Sequence, residues 1–170
     1  MSYDYKTVYE KHASFFRARP IAKKLLLLFN KFLTGIFFLV YGLLIFLSFK
    51  KGFEPLDQVK ILAIPASCLA AIPFLRLFFN RPRPYHEDGA NIEPILKKKH
   101  QDKESFPSRH LASAFVISFA FVAYLPPASA VLFLFSAMLG YVRFALGLHY
   151  PSDLIAGGIF GSIFGIFFLF

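Results

Sequence analysis

Tryptophan is absent from this chain and cysteine occurs once, as Cys68. A single thiol in an apolar stretch excludes an intramolecular disulfide and a cysteine metal cluster, and reads as a packing residue. The missing indoles remove a side chain often found at membrane interfaces, yet 24 phenylalanines supply abundant apolar surface. Charge is scarce as well: 17% of the 170 residues are charged and 56% are hydrophobic, which excludes both a disordered chain and an ordinary water-soluble one. The surplus belongs in lipid. Acidic residues are the scarcer sign, 10 against 19 Lys and Arg for a formal net charge of +9. That excess favours anionic partners such as phospholipid headgroups, phosphorylated substrates or nucleic acid, and composition alone does not choose between them.

Crossing roughly 30 Å of hydrocarbon takes about 20 residues, fewer when flanking side chains snorkel. Five segments qualify: Phe32 to Phe49, which Leu25 to Phe29 extends across the Asn30-Lys31 interruption; Ile61 to Phe79; Ser108 to Leu125, stopped by a tight turn at Pro126-Pro127; Ala128 to Val142; and Pro151 to Phe170. The first is long and has no small-residue cleavage site, so it does not read as a cleavable signal. Residues 1–24 differ. Tyr3, Val8, Tyr9, Phe15 and Phe16 alternate there with Lys6, Lys11, Arg17, Arg19, Lys23 and Lys24, a mixture that suits an amphipathic interfacial helix, with a solvated tail as the alternative. The expected fold is all-α: a polytopic membrane helix bundle with five transmembrane helices in residues 25–170, preceded by the amphipathic segment 1–24. No internal repeat or second domain is apparent. In the fifth span Gly157, Gly161 and Gly165 recur every four residues, a stripe on which a neighbouring backbone can pack closely.

The one long polar segment, Asn80 to Phe106, carries Arg81-Pro82-Arg83-Pro84, Asp88-Gly89 and the run Lys97-Lys98-Lys99. A loop of this length in a compact protein usually has a function. The lysine run is expected to be solvated or to touch anionic lipid, and His12, His86 and His100 to lie on the surface.

From Leu111 to the C-terminus the only full charges are Arg143 and Asp153. Ionisable groups at membrane depth are costly unless paired, hydrated or used, so each invites a functional reading. Arg143 ends the fourth span, Asp153 begins the fifth, and His149 lies between. Counting crossings puts Arg76 and Arg83, after the second span, and Ser108, Arg109 and His110, opening the third, on that same membrane face. Such a set suits phosphate chemistry. Arginine presents a planar fork of donors to phosphoryl oxygens and keeps its charge at working pH. Pro107-Ser108 and Pro151-Ser152 each read as a helix start capped by serine, so two positive helix ends can face an anion. Asp153, four residues after His149, can accept a proton from one imidazole nitrogen and leave the other as nucleophile, while His110 can protonate a leaving oxygen. No acidic cluster suggests magnesium. Taken singly, Arg143 with Asp153 fits a structural ion pair, His110 a structural histidine, and Arg81 and Arg83 headgroup contacts; the whole constellation is much harder to dismiss.

At these residues the sequence resembles the type 2 phosphatidic acid phosphatase family, which also includes vanadium haloperoxidases. That family carries three motifs, K-x6-R-P, P-S-G-H and S-R-x5-H-x3-D. Here Arg76 stands six residues before Arg83-Pro84, with arginine for lysine; Pro107-Ser108-Arg109-His110 has arginine for glycine; and Val142-Arg143, His149 and Asp153 keep the third spacing with valine for serine. The resemblance implies that His149 attacks phosphorus to form a phosphohistidine, that Asp153 orients and activates it, and that His110 is the acid for the departing group. It implies that Arg76, Arg83, Ser108 and Arg143 bind the phosphoryl oxygens, with no metal and no other cofactor. Arg109 either grips a second phosphate or points away into the headgroup region. Family members commonly have six spans, so the amphipathic segment stands where a sixth is missing.

The leading expectation is therefore a membrane-embedded phosphatase acting on a lipid phosphate or diphosphate, such as a polyprenyl diphosphate, phosphatidylglycerol phosphate or phosphatidic acid, with no nucleic-acid partner. A lipid phosphotransferase using the same site, an anion transporter and haloperoxidase chemistry on bound vanadate are the alternatives. A transporter needs basic residues along a path through the bilayer, whereas these gather at one face. The protein is expected to be multi-pass in the cell membrane. Bacterial relatives usually carry the site at the extracytoplasmic face, although the lysine distribution under the positive-inside rule favours the other.

Overall fold

The computed structural model describes residues 5–96 and 103–170; the Lys97–Lys99 run, His100 and Tyr3 lie outside them. Six α-helices follow in order: α1 (Tyr5–Arg17), α2 (Pro20–Lys50), α3 (Pro55–Phe79), α4 (Arg109–Tyr124), α5 (Pro126–Ala145) and α6 (Pro151–Ile166), with a 3-10 turn at Phe167–Leu169. The all-helical expectation holds. Each of the five apolar segments is a helix, and α2, α3, α5 and α6 with its 3-10 turn are long and apolar enough to cross a membrane. The fifth, α4, is apolar but has 16 residues, roughly 24 Å of rise.

The first span does extend across Asn30-Lys31, because a helix needs only to turn the polar pair to suitable sides: Asn30 is buried and Lys31 exposed. Two local expectations are corrected. Pro126 does not end a turn but opens α5, the first helical position being where a missing N–H costs nothing. The break between the amphipathic segment and the first long helix falls at Ala18 and Arg19, with Pro20 opening α2, rather than after Lys24.

The outer surface is what lipid requires. Large apolar side chains such as Phe38, Leu39, Phe74 and Phe78 on α2 and α3 are largely exposed, a surface that water would not tolerate over so many contiguous turns. Helix α4 forms the centre. It packs on α6 and α5 most extensively and also on α3 and α2, burying Leu111, Ala112, Ala114, Val116, Ile117, Ala120 and Phe121. Lipid tails are as apolar as leucine, so this association relies on close packing rather than on hydrophobic exclusion. The glycine stripe on α6 supplies it: a methyl group at Gly157 would lie 2.5 Å from the Ser108 carbonyl oxygen, and one at Gly161 2.3 Å from that of Ala112.

The alternating helix directions create two ends. At one, Tyr124 donates a hydrogen bond to Asp57 Oδ1 at 3.1 Å and packs near Phe53 and Phe168. At the other lie the end of α3, the starts of α4 and α6, the end of α5, and α1. Helix α1 lays Tyr5, Tyr9 and Ala13 against this end. The Tyr9 hydroxyl donates to the Glu93 carbonyl and accepts from Ile95 N–H, both at 3.1 Å, and Tyr5 packs edge-on against Phe144 and Tyr150. The buried stripe of the amphipathic helix thus faces protein, leaving Lys6, Lys11 and Arg17 toward the outside.

Candidate active site

Most of the residues singled out from the sequence meet at the α1 end. The Ser108 N–H donates to the Asp153 carbonyl at 3.0 Å, tying the start of α4 to the start of α6. Arg83, at 3% exposure, donates from Nη1 to the Leu148 carbonyl at 3.1 Å and lies 3.3 Å from His149 Nε2. His149 and Asp153 are buried beside it, Nδ1 3.6 Å from Oδ2. Arg76 donates from the end of α3 to the Pro107 carbonyl at 3.3 Å, beside Ser108. Arg143, 4% exposed, donates to Thr34 Oγ1 on α2 at 3.3 Å.

Arg143 and Ser108, among these groups, carry unspent hydrogen-bonding capacity. Arg143 Nε and Ser108 Oγ are buried with no partner among the described residues. Buried polar atoms in native proteins are nearly always satisfied, and an exception calls for a reason. The carboxylate does not supply one here, since Asp153 Oδ1 accepts from Arg81 at 3.0 Å and Oδ2 from the Tyr150 N–H at 2.9 Å. An anion placed among Arg83, Arg143 and Ser108 would satisfy both orphans and balance the guanidinium charge.

The protonation of His149 follows from the same surroundings. Burial, reinforced by Arg83 and Arg143, outweighs the opposing pull of Asp153 and lowers its pKa from 6.5 to about 4. At neutral pH the ring is uncharged. Nδ1 lies 3.1 Å from the Ser105 carbonyl, an acceptor only, so Nδ1 carries the proton and Nε2 holds the lone pair. Nε2 faces the Arg83 guanidinium.

Other residues expected at the site line an adjoining cavity or make contacts other than those expected. His110, in the first turn of α4, is half-buried and lines an apolar cavity of about 390 Å³ with Arg109, Ser113 and Ala114, walled across by Thr34, Phe37 and Tyr41 of α2, Pro65 and Leu69 of α3, and Leu139 of α5. Arg109 is exposed at that cavity, on the His110 side rather than in the His149 cluster. Neither serine caps its helix. Ser108 sits at the N-cap of α4 without a side-chain cap bond, and Tyr150 takes that place in α6, where Asp153 receives its N–H. Ser152 instead accepts Arg81 Nη1 at 2.7 Å.

Sequence reasoning gave Arg81 no place among the catalytic groups, and it missed Ser105 and Thr34. Arg81 had a signal in its repeated Arg-Pro dipeptide. Ser105 contributes a backbone carbonyl, which side-chain identity does not announce. Among the described residues no three His, Cys, Asp or Glu side chains converge as a metal site would require.

Known proteins share both the sequence pattern and the fold. The chain is 32% identical to lipid A 1-phosphatase of Rhizobium etli over 170 residues, covering 87% of this chain and 71% of that protein. It is 33% identical to lipid A 4'-phosphatase of Bacteroides thetaiotaomicron over 101 residues, covering 57% and 45%. The structure superposes on Aquifex aeolicus LpxE with a TM-score of 0.68 at 26% identity, over 92% of this chain and 93% of that one. It shares its fold with a PAP2-type phosphatidylglycerolphosphate phosphatase from Bacillus subtilis, with a TM-score of 0.67 at 19% identity over 96% and 85%. The sequence profile of the PAP2 superfamily matches residues 58–169, the stretch from α3 to the C-terminus that holds Arg76, Arg83, His110, Arg143, His149 and Asp153, and the chain belongs to that superfamily.

Proposed function

We propose that this multi-pass membrane protein is a lipid phosphatase that works through a covalent phosphohistidine. The observation that carries the reading is the buried His149 with its Nε2 beside Arg83, together with the unsatisfied Arg143 Nε and Ser108 Oγ. A phosphate monoester placed there meets guanidinium donors on its equatorial oxygens and a lone pair in line with phosphorus. The Nε2–P bond forms as the bond to the leaving oxygen breaks, and His110 donates its proton to that oxygen. Arg76, Arg83, Ser108 and Arg143 stabilise the charge spread over the transferring group. The imidazole becomes cationic while bonded to phosphorus; Nδ1–H stays on the Ser105 carbonyl, and Asp153, 3.6 Å away, balances the new charge. Water then attacks phosphorus, gives its proton to His110, and returns His149 to neutrality.

His110, the acid, lines the apolar cavity, so the leaving group is the lipid part and its tail enters between α2, α3 and α4. Arg109 stands at that cavity as a contact for a second phosphate. Lipid A phosphatases among the relatives make a phosphorylated glycolipid the first candidate, followed by polyprenyl diphosphate, phosphatidylglycerol phosphate and phosphatidic acid. The site faces the extracytoplasmic side; the basic residues of α1 have local uses, such as Arg17 with Glu10 at 2.6 Å, and need not mark the cytoplasm.

The test is phosphate release from the detergent-solubilised protein, without added metal and with a chelator present, across a panel of those four lipids. Release from at least one, lost in His149→Ala and slowed in His110→Ala at the step of intermediate formation, is expected. Full activity in the His149 variant, or a requirement for magnesium, would defeat the mechanism.

A further inference from the structure

The carboxylate expected to orient the nucleophile makes its shortest contacts elsewhere. Asp153 is fully buried, and Arg81 Nη1 reaches its Oδ1 at 3.0 Å and Ser152 Oγ at 2.7 Å, while the guanidinium stacks 4.3 Å over the Tyr150 ring. Arg81 therefore grips three residues at the start of α6 at once. Its backbone has a second attachment. Ser105 N–H donates to the Arg81 carbonyl at 2.8 Å, Ser105 Oγ contacts the Arg81 and Pro82 carbonyls, and Pro82 bridges to Glu104. Ser105 is also the residue whose carbonyl receives His149 Nδ1. Both groups on the Nδ1 side of the imidazole, the Ser105 carbonyl and the Asp153 carboxylate, are thus held by one residue, through its main chain and its side chain respectively.

We propose that Arg81 is a positioning residue for phosphoryl transfer, fixing Ser105 and Asp153 so that His149 keeps its proton on Nδ1 and its lone pair on Nε2 toward phosphorus. An exposed ion pair contributes little, but here the acidic partner is wholly buried, and removing its donor leaves a carboxylate short of a hydrogen bond beside the nucleophile. Supporting groups of this kind act on rate through orientation and leave substrate contacts in place. Arg81 differs in this from Arg83, which reaches Nε2. The inference rests on the phosphatase reading above.

The experiment measures kcat and KM on phosphatidic acid and on a lipid A preparation in detergent micelles for wild type, Arg81→Gln, Arg81→Lys, Asp153→Asn and the Arg81→Gln/Asp153→Asn pair, with His149→Ala as control. Arg81→Gln is expected to lower kcat by about 10–100-fold with little change in KM. Arg81→Lys is expected to recover part of that loss. In the Asp153→Asn background, Arg81→Gln is expected to cost less than about threefold, since coupled residues are non-additive. Unchanged kcat, a rise confined to KM, or losses that multiply in the pair would each overturn the role. Should the glutamine variant not fold, the lysine variant carries the test: unchanged kcat and KM with Asp153→Asn still impaired would leave charge as the only requirement and refute positioning by the guanidinium. No release by wild type from either lipid, or persistence of release in His149→Ala, defeats the phosphatase reading itself and takes the role of Arg81 with it.

Discussion

Arg83 Nη1 lies 3.3 Å from His149 Nε2, so an imidazole nitrogen and a buried guanidinium share one small volume. Burial keeps this imidazole unprotonated, and the neighbouring guanidinium adds to the effect, because a second positive charge beside Arg83 is unfavourable.

The acid side of the kcat/KM profile reports free-enzyme groups, and His149 protonates only near pH 4. Activity is therefore expected to persist at pH 5.5, where an ordinary histidine is largely charged, and to fall as pH approaches 4. Stability carries the same sign. The unfolded chain takes up this proton near 6.5 and the folded one near 4, so the contribution is complete above pH 6.5 and is lost on acidification through that window, by about 3 kcal/mol in all. An acid limb centred at 6.5 in the wild type would contradict the buried neutral ring.

Blocking the cavity separates lipid binding from chemistry. Ser113→Phe places a ring in the space beside His110; KM for a long-chain substrate is expected to rise about tenfold or more, while turnover of a water-soluble phosphate monoester changes little. Equal effects on both would remove the cavity from the substrate path.

Arg109→Gly tests the second anionic contact. Hydrolysis of a polyprenyl diphosphate is expected to drop by roughly 10-fold relative to phosphatidic acid, in the range of a lost charge-assisted hydrogen bond of about 1.5 kcal/mol. An unchanged ratio between the two substrates would assign the side chain to the headgroup region.

For packing, Gly161→Ala and Gly35→Ala are expected to diverge. The first drives a methyl group to 2.3 Å from the Ala112 carbonyl oxygen, whereas the second meets nothing within 4 Å. A loss of about 1–3 kcal/mol, read as a lower thermal midpoint in detergent, is expected for Gly161 alone, with Gly35→Ala neutral or slightly stabilising.

The helices were legible because long apolar runs leave the backbone few other options in lipid, and the candidate site drew attention because Arg143 and Asp153 stand out in a stretch otherwise without charge. Helix starts were read less well. Pro126 could equally close a turn or open a helix, and the chain uses the second. Serines at 108 and 152 have capping chemistry, yet the Tyr150 N–H at the start of α6 goes to Asp153 instead, an exchange that depends on tertiary placement. The Ser105 carbonyl had no sequence signal at all, since every residue offers one. Arg81 was visible as a charge but not as a clamp, because its partner lies 72 positions away.

Tyr5 approaches the His149 carbonyl at 3.5 Å and Tyr9 fastens the 93–95 backbone, so the turn that carries His149 is propped by the amphipathic helix α1. A fusion partner or surface tether that pulled α1 away would remove that prop from the backbone beneath the imidazole.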